Sequence, residues 1–132
     1  DISNMPYPRF LEVYRKIISE ACKLLHNDRF AVWVISEVRS KDGEYYNLVS
    51  DTIQAFMDAG LHYYNEIILC NATTSACIRA PRQFNSTRKV VRTHQNVLVF
   101  FNGDMRTIKD NYGELDLSYL QDEMAEDGDE AE

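Results

Sequence analysis

Five cations, Arg79, Arg82, Arg88, Lys89 and Arg92, lie in a stretch of 37 residues, Ile67 to Gly103, that contains no aspartate or glutamate. Lysine and arginine neutralise phosphate, and the planar guanidinium also reads guanine through two parallel hydrogen bonds. Gln83, Asn85, Ser86 and Thr87 lie between the cations and supply side chains that bond to bases or phosphates. The chain as a whole has 14 basic and 21 acidic residues. A net charge of -7 therefore conceals a basic segment within a strongly acidic remainder. Such segregation marks a surface that meets an anionic partner, and overall acidity argues against indiscriminate binding to nucleic acid. The alternative for the five cations is a solvated loop that compensates acidic neighbours.

Other chemistry-bearing residues are sparse. Cys22, Cys70 and Cys77 are scattered, and no C-x-x-C pair occurs, so neither a zinc site nor a disulfide framework is expected. They read as small hydrophobes, with Cys22 on a helix face and Cys70 at a strand end. His94-Gln95-Asn96 reads as a group that positions the last strand or its loop, because one histidine without a partner does not make a catalytic base. Glu37 and Arg39 fall at the end of a strand, where open α/β sheets bind ligands. They are therefore expected either at a pocket edge or as a solvated pair. Phe84 is either a wedge for a distorted duplex or a side chain buried under its loop. His26 and His62 are expected at the surface.

The elements that must hold these residues are read from periodicity. Phe10, Tyr14, Ile17, Ala21 and Leu25 recur at helical spacing, with Ile18 and Cys22 widening the stripe, which predicts a helix over 8–25, opened by Pro8. The apolar run Phe30 to Ile35 suits a strand buried on both faces. A second helix over 48–59 has Asn47 or Ser50 as its cap and Gly60 as its stop. Strands follow at 63–70 and 97–101. The connection between them is expected to be a long loop, since it has no apolar period of its own. The resulting order is helix, strand, helix, strand, loop, strand, with a parallel crossover and hence α/β architecture.

No apolar run approaches the roughly 20 residues of a membrane helix. Asp1-Ile2-Ser3-Asn4 lacks the features of a secretory signal, so a cytoplasmic protein is expected. One domain, 1–104, is followed by an acidic segment, 105–132, in which Leu115, Leu117, Tyr119, Leu120 and Met124 support a short docked piece. Its end, from Glu126 to Glu130, is expected to be disordered. The complementary signs also allow that segment to fold onto the basic loop as an intramolecular DNA mimic, weakened by salt.

Five segments, in order, carry a resemblance: Phe30 to Arg39, then Asp51-Thr52-Ile53-x-x-Phe56-x-x-Ala59-Gly60-Leu61, Tyr64 to Leu69, Arg79-x-x-Arg82-Gln83-Phe84, and His94 to Phe100. The succession resembles the C-terminal half of DNA amino-methyltransferases of the N6-adenine and N4-cytosine class, particularly phage and prophage versions, over about residues 3–104. The resemblance implies a partial Rossmann-like methyltransferase sheet whose last two strands are antiparallel. It also implies S-adenosylmethionine as methyl donor, double-stranded DNA as partner and a bacterial or phage-infected cell as location. The family's glycine-rich loop and [Asp/Asn/Ser]-Pro-Pro-aromatic motif are not in this sequence. No catalytic residue is assigned, and this chain alone is expected to be inactive.

The expected role is therefore half of a sheet plus a basic DNA-contacting loop that grips a duplex from which a base is extruded. A missing N-terminal half or a second chain would complete the fold. The other reading is a non-catalytic interaction module or a degenerate subunit that binds DNA or completes a partner chain.

Overall fold

The computed structural model describes residues 4–119. Helix α1, Tyr7–Cys22, opens behind Pro6 with Pro8 in its first turn, and buries Tyr14, Ile18 and Cys22. These positions are four apart, so they form one stripe along the helix. The helix stops three residues short of the expected end. Tight bonds from Leu24 N to Ala21 O and from Leu25 N to Cys22 O close it, as unpaired terminal carbonyls require.

Strand β1, Arg29–Ile35, points Ala31, Trp33 and Ile35 into the core. Its alternate residues Val32 and Val34 are 58% and 52% exposed. The expectation of burial on both faces is thus corrected: among the described residues, nothing covers this part of the second face.

Helix α2, Leu48–Asp58, buries Leu48, Thr52, Ala55 and Phe56. Neither expected cap is used. Asn47 sits in the left-handed region without a side-chain bond, and Ser50 lies inside the helix. The Glu37 carboxylate instead accepts from Leu48 N at 2.9 Å and Val49 N at 3.1 Å. A carboxylate there also complements the positive end of the helix dipole. At the other end Gly60 takes φ +96°, donating to Met57 O while Leu61 N reaches Phe56 O. This is the paired-bond termination that glycine permits, and it delivers the buried Leu61 into the core.

Strands β2, His62–Cys70, and β3, His94–Asn102, complete a three-stranded sheet ordered β1-β3-β2. The last strand is antiparallel to both neighbours, with Trp33 opposite Leu98 and Ile67 opposite Val97. The expected antiparallel pair is therefore present. β1 and β2 run parallel to each other, as the crossover implies, but β3 lies between them. All of β2 is exposed.

The connection expected as a loop contains a helix, α3, Thr74–Thr87. Pro81 lies inside it, and only Ala76 is buried. A helix with one buried side chain shows no apolar period, which is why periodicity misses it.

Helices α1 and α2 cover one face of the sheet, where Leu98 and Phe100 are fully buried. Phe56 stacks on Phe100 at 4.2 Å and meets Trp33 edge-on at 5.4 Å. A hydrogen-bond chain threads this layer. Trp33 Nε1 donates to the Tyr14 hydroxyl at 2.9 Å, and that hydroxyl lies 3.0 Å from Thr52 Oγ1. Thr52 gives its own proton to Leu48 O at 2.7 Å. A hydroxyl has one proton, so Tyr14 must donate to Thr52.

On the second face Phe101 is enclosed by Phe30 and Tyr64. Residues 105–112 return beside them as a short 3-10 turn and helix α4, Ile108–Tyr112. Tyr112 packs on Phe30 at 5.4 Å and donates to Asp28 O at 2.6 Å. Docking in the acidic segment thus runs through Tyr112, whereas Leu115, Leu117 and Tyr119 are exposed. Leu120, Met124 and the stretch expected to be disordered, on which the expected DNA mimic draws, lie outside the described residues.

Cys22 is buried, and burial raises its thiol above the ordinary value. Cys70 ends β2 as expected, but it and Cys77 are free and exposed, so neither packs as a small hydrophobe. His26 and His62 are exposed as expected. No described helix is long and apolar enough to cross a membrane.

Tyr14→Phe should cost about 1–3 kcal/mol, because it strands the Trp33 N–H in the core; urea unfolding of the variant against the parent measures this. The β2–β3 pair carries a pH-sensitive contact as well. Asn96 donates to Glu66 at 2.7 Å and Tyr63 at 2.8 Å, and these bonds lower the Glu66 pKa, Asn96 first. A carboxylate whose folded pKa is depressed adds stability above its unfolded value and loses it as pH falls through the folded value. Acid unfolding of Glu66→Gln should accordingly show a flatter low-pH limb. Asn96→Ala should move that limb to higher pH. The effect is small because Glu66 is solvent-exposed.

Candidate nucleic-acid interface

Helix α3 has few anchors and many donors. Pro81 lacks an N–H, so the helix loses one internal bond and bears a cost of about 3 kcal/mol relative to a good helix former. Local bonds support its second half: Thr87 Oγ1 and Ser86 Oγ both donate to Gln83 O, at 2.8 and 3.1 Å. Arg88 ends the helix in the left-handed conformation. Its guanidinium turns back to Phe84 O and Asn85 O, as basic side chains do at helix C-termini.

Arg79 and Arg82 are three residues apart and share a face of α3. Both are exposed. Arg79 folds along the helix to Ser75 O and Oγ, each at 3.3 Å. Phe84 is 49% exposed and lies 5.5 Å below the Arg88 guanidinium. It is therefore neither buried under the segment nor free of it.

Beyond Arg88 the chain returns extended to β3, held by Asn71 N to Thr93 O at 2.8 Å. Lys89 and Arg92 are half-buried on this return, and here they meet a second element. Residues 38–46 form a turn in which Arg39 bridges Tyr45 and Ser40 N bonds to Glu44 O. Arg39 Nη1 donates to Gly43 O at 2.7 Å. The guanidinium carbons of Arg39 and Arg92 lie 3.9 and 5.2 Å from the centre of the Tyr45 ring. Arg92, with Arg39 adding to it, lowers the Tyr45 phenol below its ordinary range. Lys89 reaches the tip of the turn: its Nζ would stand 3.0 Å from a Cβ placed on Gly43.

The structure thus separates the five cations into exposed Arg79 and Arg82 on α3, Arg88 at its end, and Lys89 and Arg92 against the 38–46 turn. The two strand-end residues also part company. Glu37 is turned to the start of α2, with both carboxylate oxygens engaged, whereas Arg39 joins the cations. His94, Gln95 and Asn96 are the first three residues of β3 and pair with Cys70, Leu69 and Ile68. The strand thus begins three residues earlier than its apolar run indicates. His94 Nε2 is 3.5 Å from Arg92 Nη1. Tyr45 was missed by sequence reasoning, and the only local signal is an aromatic residue two positions after a turn glycine.

No group of three or more potential metal ligands occurs among the described residues. A methyl donor would need a cradle of backbone that approaches it closely. Gly60 and Gly113 have nothing within 4 Å of a built Cβ, while Gly43 and Gly103 are crowded by Lys89 and Asp28. The four described glycines are dispersed over separate turns and form no glycine-rich loop.

No protein-family model and no curated protein matches the chain. Among solved structures it is similar to two crystal structures of TTHA0409 from Thermus thermophilus, named as a proposed DNA modification methylase. The selenomethionine derivative matches at TM-score 0.59 and 16% identity. The complex with S-adenosyl-L-methionine matches at 0.58 and 15%. Each match covers 85% of this chain, which spans 42% of the length of the structures it matches. At that identity the likeness is one of fold: the chain is built as one part of that methylase is built.

Proposed function

We propose that this chain is part of an S-adenosylmethionine-dependent DNA methyltransferase acting on the exocyclic amino group of adenine (N6) or cytosine (N4). The observation that carries this reading is the shared fold with a proposed DNA modification methylase, one of whose structures holds S-adenosyl-L-methionine. The five cations on and after α3 fit the same reading, since a duplex is the anionic partner such an enzyme meets. In this assignment the chain supplies three strands and a DNA-contacting segment. Methyl-donor binding and transfer belong to residues outside those described, and no step of the transfer is assigned to this chain.

A second reading is favoured by one observation. Val32 and Val34 on β1 and Ile67 and Leu69 on β2 leave much of one sheet face exposed. A non-catalytic module that completes a partner chain would present such a face.

Full-length protein incubated with labelled S-adenosylmethionine and duplexes rich in adenine or cytosine should label one base class. Failure to label any duplex, with S-adenosylmethionine binding also absent, would leave the interaction module as the account. Arg79→Gln combined with Arg82→Gln should weaken duplex binding similarly across sequences, with the salt slope reduced by about one for each phosphate no longer neutralised. An unchanged affinity in that variant would remove the α3 face from the interface.

A further inference from the structure

Between the 38–46 turn and the return segment 88–94 lies an open cleft of about 490 Å³, lined by Arg39, Tyr45, Arg88, Lys89, Arg92 and His94 among others. Four of these are arginine or lysine, and no carboxylate lines the cleft. None of the four makes an ion pair among the described residues, where the salt bridges lie on α1, between α1 and α2, and at Arg106. Of the cations outside the cleft, Arg9, Arg15, Lys23 and Arg106 pair with carboxylates; what sets the cleft apart is that four cations line one space together. Converging like charges without a counter-ion raise the free energy of the fold, and an anion placed among them relieves it.

The donors are also available. Arg39 and Arg88 each use one guanidinium nitrogen, Nη1, on backbone carbonyls, and a guanidinium has five N–H groups. The Lys89 ammonium has no hydrogen-bond partner among the described residues. Tyr45 supplies the platform. With Arg39 and Arg92 both on its ring, their forks are already ordered, so less side-chain freedom is lost when they close on a ligand.

We propose that this cleft is a dedicated phosphate site that takes a backbone phosphodiester of DNA, with Arg39 and Tyr45 recruited to it from a turn some fifty residues earlier in the chain than Lys89 and Arg92. The inference rests on the reading of the chain as part of a DNA-acting enzyme and deepens it. The five cations are not one continuous patch. Arg79 and Arg82 present an outer helical face, while Arg39, Arg88, Lys89 and Arg92 line a separate, open cleft. A bidentate guanidinium matches two phosphate oxygens. The shallow, open shape suits a strand that passes through.

The test uses the full-length protein and a fluorescent duplex, with affinity followed against salt. Arg39→Gln and Lys89→Gln should each weaken binding and lower the slope of log affinity against log salt by roughly one. Tyr45→Ala should weaken binding, and Tyr45→Phe, which keeps the ring, should restore it. Lys89→Gln guards against misfolding, since its ammonium supports no hydrogen bond; circular dichroism matching the parent confirms the fold. If the parent binds duplex and both Arg39→Gln and Lys89→Gln bind it with the parental slope, the cleft proposal is overturned and the DNA reading survives. Inorganic phosphate or a nucleoside monophosphate bound by the parent and lost in Lys89→Gln, with no duplex binding, would overturn the DNA source and assign the cleft to a free phosphate. No duplex binding by the parent at low salt, and no phosphate binding either, would sink the site and the DNA reading together.

Discussion

One directed chain of hydrogen bonds, Trp33 to Tyr14 to Thr52 to Leu48 O, ties α1, β1 and α2 into a single layer. Each link fixes the next, because the threonine proton is already committed and the tyrosine proton has one place to go. Around this line the core is apolar, so any slip of one element against another would leave a buried polar group without a partner. That penalty is what holds α2 at one position over the sheet. The start of α2 in turn holds Glu37 through two backbone donors. The 38–46 turn is strung between these anchors, so its approach to the return segment follows from the core.

The sheet order matters for the same reason. With β3 between β1 and β2, residues just before β3 arrive on the same side as residues just after β1. Arg92 and Arg39 are brought to one tyrosine by this arrangement, although 53 positions separate them in the sequence. An order with β2 in the middle would have set them apart.

Much of this was legible in the residues, and the gaps have physical causes. The existence of α1, of the strand from Phe30 to Ile35 and of the stop at Gly60 declares itself in local patterns, although the buried stripe of α1 runs through Tyr14, Ile18 and Cys22 while Ile17 and Ala21 are exposed, and Val32 and Val34 leave the strand open on its second face. Helix α3 does not, because Ala76 alone is buried and Pro81 reads as a break. Its helicity shows instead in its own hydrogen bonds, from Thr87, Ser86 and Arg88 back to carbonyls one turn earlier. The basic window stood out in the sequence, but the separation of Arg79 and Arg82 on α3 from Lys89 and Arg92 beside the 38–46 turn did not. That separation depends on a turn remote in sequence, and the capping of α2 by Glu37, expected at a pocket edge or as one of a solvated pair, depends on backbone donors 11 and 12 residues further on.

The uncovered sheet face carries a thermodynamic consequence. Val32, Val34, Ile67 and Leu69 are each about half exposed, so the hydrophobic free energy of this layer is only partly realised within the described residues. Any surface that binds this face in the folded state adds its binding free energy to the folding equilibrium, growing with the logarithm of its concentration. The melting temperature of such a chain is then a property of the chain together with whatever lies against it.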